Sequence, residues 1–113
     1  MATHYGVVEA GDDDRVIGFE EKPSEPRSTL VATAAYLYNR EHVPLIGRYL
    51  ADGNPPDQPG RLIAWLYPRE AVFAYRFPGL WFDIGNPEQL LLADNRWRER
   101  AGLPVRESYS TLR

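Results

Sequence analysis

The sequence predicts an α/β fold, a mixed β-sheet with flanking helices. Two short β-rich runs lie close together near the start of the chain, joined by a turn. Residues 30–38 are apolar and uncharged, the pattern of a strand covered on both faces. From residue 44 onward, stretches of helical periodicity alternate with a strand-like one, which favours helices layered on a sheet.

Residues 5–9 and 15–21 form the two β-rich runs, with Ala10-Gly11-Asp12-Asp13-Asp14 between them. A glycine and three aspartates between apolar segments are turn chemistry, so a β-hairpin is expected. The aspartates lack the alternating spacing and distant glutamate of a calcium loop and read as a solvated turn. The second run ends in Phe19-Glu20-Glu21-Lys22-Pro23. Pro23 predicts an extended or polyproline conformation for Lys22, and strand alternation sends Glu21 and Lys22 to opposite sides.

After the apolar segment, Asn39 is a candidate cap and residues 44–51 read as a helix with a stripe of Leu45, Ile46, Tyr49 and Leu50. Proline, glycine and aspartate make residues 52–60 a loop. A second short helix carries Leu62, Ile63, Leu66 and Tyr67 on one face and stops at Pro68. Residues 72–77 alternate, with Phe73, Tyr75 and Phe77 on one side, as in a strand. In Trp81-Phe82-Asp83-Ile84-Gly85-Asn86-Pro87-Glu88, Asp83 is the lone carboxylate of the apolar run 77–85. Asn86 reads as a helix N-cap, Pro87 as the first helical position and Gln89 as the partner in a capping box. The last helix spans residues 87–101, with Leu90, Ala93, Trp97 and Ala101 on one face, Gly102 as its stop and Pro104 beyond. Arg96, Arg98 and Arg100 suit the negative end of the helix dipole and read as a solvated helix end. One domain over residues 1–102 and a patternless tail over 103–113 are therefore expected.

Composition excludes several classes of function. The 113 residues carry a net charge of −3 with acids and bases interspersed, which is no footprint for nucleic acid or an anionic membrane. There is no cysteine, so disulfides, thiolate metal sites and cysteine nucleophiles are ruled out, and a cytoplasmic location is expected. No apolar run approaches the roughly 20 residues of a membrane span. His4 and His42 stand alone and make no catalytic constellation.

Taken in order, Phe19-Glu20-Glu21-Lys22-Pro23, the segment ending Tyr36-Leu37-Tyr38, the stretch Asp57-Gln58-Pro59-Gly60-Arg61-Leu62-Ile63-Ala64-Trp65-Leu66 and the Trp81-Phe82-Asp83-Ile84-Gly85 motif resemble the sugar-phosphate nucleotidyltransferases. The resemblance is to the C-terminal half of the glucose-1-phosphate thymidylyltransferase and mannose-1-phosphate guanylyltransferase type, which has a Rossmann-like fold. It implies a step of nucleotide-sugar biosynthesis, in which a sugar 1-phosphate oxygen attacks the α-phosphate of a nucleoside triphosphate and pyrophosphate leaves. By the same resemblance, Lys22 pairs with the sugar phosphate, Glu21 accepts hydrogen bonds from sugar hydroxyls, and Asp83 is a ligand for Mg2+. Lys22 and Asp83 are then the catalytic residues.

Two departures from the family pattern stand out. Ala32 and Ala34 occupy the asparagine and glycine positions of the family's sugar-binding strand, and a methyl group at Ala34 obstructs close backbone approach to the sugar. The family's nucleotide site, a glycine-rich arginine-containing loop with a second metal-binding aspartate downstream, has no counterpart. The nine glycines include no two closer than five positions, so no phosphate-cradling loop is present. The chain is thus expected to hold the sugar-phosphate half of a site, to be inactive alone, and to self-associate or require an N-terminal half. The alternative is a non-catalytic module of the same fold that binds sugar phosphates or serves in assembly.

Overall fold

The expected hairpin forms. In the computed structural model, which describes residues 2–109, strands β1 (Gly6–Ala10) and β2 (Val16–Glu21) pair antiparallel, with Gly6 opposite Glu21 and Val8 opposite Phe19. The Gly11 N–H donates to the Arg15 carbonyl at 2.9 Å, and the Asp13 carboxylate accepts from the Arg15 N–H at 3.1 Å. The register shifts near the turn: Gly18 faces Glu9 while Val16 faces Ala10. Ile17 is left as an extra, exposed residue, the mark of a β-bulge.

Two further segments extend this sheet, one on each edge. The Val8 N–H donates to the Leu30 carbonyl and the Ala32 N–H to the Gly6 carbonyl, both at 2.8 Å, so residues 30–32 run along β1. On the other edge, the Val16 N–H donates to Val72 and the Ala74 N–H to Asp14, again at 2.8 Å. The full strands expected over 30–38 and 72–77 are narrowed to single antiparallel bridges, Val7 with Val31 and Arg15 with Phe73. For the first segment the reason is local: Ala34 adopts a left-handed φ of 60°, which no continuous strand accommodates.

Helices α1 (Pro44–Ala51) and α2 (Pro59–Leu66) lie near their expected positions. Tyr49 of α1 is buried and meets Trp65 of α2 edge to face, with centroids 5.7 Å apart. Its hydroxyl donates to the Pro55 carbonyl at 2.9 Å, and the Asn54 amide returns a bond to the Tyr49 carbonyl at 2.8 Å, so the loop between the helices is fastened to α1. Ile63 and Leu66 of α2 are buried in the packing against β2. With Val7, Val8, Val16 and Tyr49 they make the core. The class is α/β, a sheet with flanking helices, as the sequence predicts.

The chain divides into two compact units, the first ending at Phe77 and the second beginning at Pro78. Helix α3 (Pro87–Arg100) dominates the second. The Asn86 Oδ1 accepts from the Gln89 N–H at 2.8 Å, as expected of the cap. The Gln89 side chain returns to the Gly85 N–H, also at 2.8 Å, one residue outside the position a standard capping box uses. At the other end, Gly102 has a φ of 68°, and the Leu103 and Gly102 N–H groups bond the Arg98 and Glu99 carbonyls at 2.8 and 3.1 Å, a complete Schellman stop. The chain then folds back. The Asn95 amide exchanges two bonds with the Arg106 backbone at 2.7 and 2.8 Å, and the Arg106 guanidinium lies 3.1 Å from Asp94. Of the helix face expected to be covered, only Ala93 is buried; Leu90, Trp97 and Ala101 are exposed. None of the described helices is long and apolar enough to cross a membrane.

Candidate sugar-phosphate site

The end of β2 sets the direction of two charged side chains. The Lys22 N–H donates to the Tyr5 carbonyl at 3.1 Å, and the residue turns into the left-handed region with a φ of 49°. This corrects the extended conformation expected ahead of Pro23. The bond to Tyr5 and the burial of Pro23 hold the chain in a turn that the proline rule alone disfavours. A backbone held outside its preferred region is a feature that clusters at functional sites. The Lys22 side chain is exposed and forms no ion pair among the described residues. A surface cluster in which Lys22 is neutralised by Glu20 or Glu21 is therefore not formed.

Glu21 behaves differently. It is half-buried, and its carboxylate lies against Gly60, a buried residue in the first turn of α2. Tyr36, in the segment after Ala34, feels the same charge. Burial first, then the negative field of Glu21 and then the neighbouring Tyr38 raise the Tyr36 hydroxyl above the ordinary tyrosine pKa. Burial does the same to Tyr38. The first unit thus brings together Glu21, Tyr36, Tyr38 and Gly60, with Lys22 next in sequence. Ala34 is exposed. Its left-handed φ of 60° gives a second reason why a glycine suits this position, beyond the close approach expected from sequence.

A cleft of about 790 Å³ opens between residues 33–39 and 70–77, lined by Tyr36 and Tyr38 of this group and also by Ile63 and Leu66. On its wall, His42 Nε2 and Glu70 Oε2 are 3.3 Å apart. Neither Glu21 nor Lys22 lines it.

Asp83 belongs to the second unit. It is exposed, three residues ahead of the Asn86 cap, and enters no ion pair among the described residues. No group of three or more histidine or acidic side chains able to hold a metal is found among the described residues. The Asp83 carboxylate is an open oxygen donor of the kind that could serve Mg2+, an ion commonly held by one or two protein carboxylates with phosphate oxygens and water completing its shell.

The model of the nucleotidyl transferase family matches residues 1–100, and the chain belongs to that family. Among curated relatives, it is similar to glucose-1-phosphate adenylyltransferases. That of Clostridioides difficile is 30% identical over 86% of this chain and 30% of the relative. That of Desulforamulus reducens is 35% identical over 82% of the chain and 24% of its own length, and that of Thermotoga maritima 31% identical over 74% and 21%. The chain thus spans between about a fifth and a third of the relatives it matches. No solved structure matches it. These relatives correct the resemblance to the thymidylyl- and guanylyltransferase type. The motifs that carried it were expected to serve the sugar, the phosphate and the metal, so they point to the family and are silent on the base.

The sequence reading missed Gly60 and Tyr36. Gly60 lies within the stretch 57–66 that carries the resemblance, and its contact with Glu21 joins positions far apart in the chain. The one available signal was a glycine inside a helical pattern, where alanine is the better helix former.

Proposed function

We propose that this chain forms the sugar-phosphate side of a nucleotidyl transferase site, with glucose 1-phosphate as its ligand. The reaction is attack of the sugar-phosphate oxygen on the α-phosphorus of a nucleoside triphosphate. A new P–O bond forms as the bond to pyrophosphate breaks. Following the relatives' names, the triphosphate is ATP. Such a displacement needs in-line positioning and neutralisation of oxyanion charge more than covalent help. Lys22 meets the sugar phosphate as a compact charge, Glu21 accepts from sugar hydroxyls, and the Ala34 backbone borders the sugar. Asp83 contributes to holding Mg2+, which when bound neutralises phosphate charge. Residues 1–102 are the working part and 103–113 a tail, in a cytoplasmic protein whose phosphorylated substrates do not cross membranes unaided.

The observation that carries this reading is the end of β2. There a half-buried carboxylate and an exposed ammonium with no ion-pair partner among the described residues are consecutive in the chain within the family match. Glucose 1-phosphate titrated into the chain with magnesium is expected to give saturable heat, lost in Lys22→Ala. No heat with the native chain refutes the reading. The chain alone is expected to bind without turnover, since the nucleotide side of the site must come from other residues, whether the same polypeptide's or a partner's.

Ala34 favours a second reading, a non-catalytic sugar-phosphate-binding or assembly module, because a methyl group stands where the family carries a glycine. Adding the nucleotide-binding portion of the Clostridioides difficile relative together with ATP separates the two. Pyrophosphate release supports the enzyme, and binding without release supports the module.

A further inference from the structure

We infer that Gly60 is a positioning residue for Glu21: its missing side chain lets the carboxylate lie where it meets the sugar. The inference rests on the sugar-phosphate reading. A Cβ at Gly60 would overlap the Glu21 Oε2 and stand 3.0 Å from its Cδ and 3.2 Å from the Phe19 ring. On its other side, the same oxygen would stand 3.2 Å from a Cβ at Gly6, the residue opposite Glu21 in the ladder. Two buried glycines and the edge of Phe19 therefore form a slot for one carboxylate oxygen.

Backbone geometry does not explain a glycine at position 60. Gly60 is not among the glycines of positive φ, and it lies inside α2, where alanine is the more favourable residue. The space taken by Glu21 does explain it. Because the colliding atom ends a flexible side chain, Gly60→Ala is expected to fold with its carboxylate displaced.

The test is a double-mutant cycle on the full chain, read by titration with glucose 1-phosphate and, separately, by urea unfolding without ligand. In titration, Gly60→Ala is expected to lose about tenfold in affinity, Glu21→Ala at least as much, and the double variant no more than Glu21→Ala alone. Additive losses, or an unchanged Gly60→Ala, overturn the inference, because a residue acting through Glu21 has nothing left to act on once the carboxylate is gone. In unfolding, Gly60→Ala is expected to raise the urea midpoint more in the Glu21→Ala background than in the native one. Equal shifts overturn the slot whatever the ligand does. A native chain that does not bind glucose 1-phosphate instead overturns the proposed function, and the unfolding cycle still decides the positioning.

Discussion

At the scale of single residues, the site is marked by backbone conformation as much as by charge. Among the described residues, four non-glycine ones have a left-handed φ: Asp14, Lys22, Ala34 and Gln58. Aspartate in a tight turn takes this conformation readily. Alanine does not, and the conformation costs it about 1–2 kcal/mol. Ala34→Gly removes that cost while freeing the unfolded chain, which returns part of the gain. The net expectation is a stabilisation of about 0.5–1 kcal/mol, read as a higher urea midpoint; a lower midpoint would contradict the left-handed assignment. Glu21, Lys22 and Ala34 enter the proposed site from the sequence resemblance alone, and what the structure adds is their conformation and burial. The conformation of Lys22 was not legible in the sequence, because the proline rule describes a residue in isolation and the bond from Lys22 to Tyr5 is non-local.

At the scale of elements, legibility follows how local the determinants are. Both ends of α3 were readable, since Asn86, Pro87, Gln89 and Gly102 act within a turn of their own positions. Asn86→Ala removes the acceptor for the Gln89 N–H and is expected to cost about 1 kcal/mol. Urea unfolding with far-ultraviolet circular dichroism measures that loss, and an unchanged midpoint would show that Gln89 alone sustains the cap. Strands 30–38 and 72–77 were readable only as apolar, extended segments. Periodicity reports which residues avoid water and names no partner for their backbone groups, and here each segment finds one partner for a single bridge.

At the scale of the whole molecule, the core is thin and the apolar surface large. The best-buried side chains, Val7 and Ala93, keep 3% of their surface, while Leu37 is fully exposed and Tyr75 85% exposed. Phe73, Phe77 and Trp97 add to this surface. Covering one such side chain is worth about 1.5–3 kcal/mol, and backbone groups left without a ladder partner add a second incentive for association. Light scattering at rising concentration is expected to show association of the isolated chain, reduced by the pair Leu37→Lys and Tyr75→Lys. A monodisperse monomer throughout would remove the argument that this surface meets further protein.

The contact between Glu21 and Gly60 also constrains the order in which the sequence can change. While the carboxylate occupies its slot, a methyl group at position 60 displaces a side chain proposed to meet the sugar, and under that proposal selection for binding would remove it. Once Glu21 is lost, the same substitution meets only the edge of the Phe19 ring and favours the helix. Alanine at position 60 is thus open to descendants that have already abandoned the carboxylate and closed to those that keep it. A lineage drifting from the proposed function would cross the two changes in one direction, and the residue at position 60 would record the crossing.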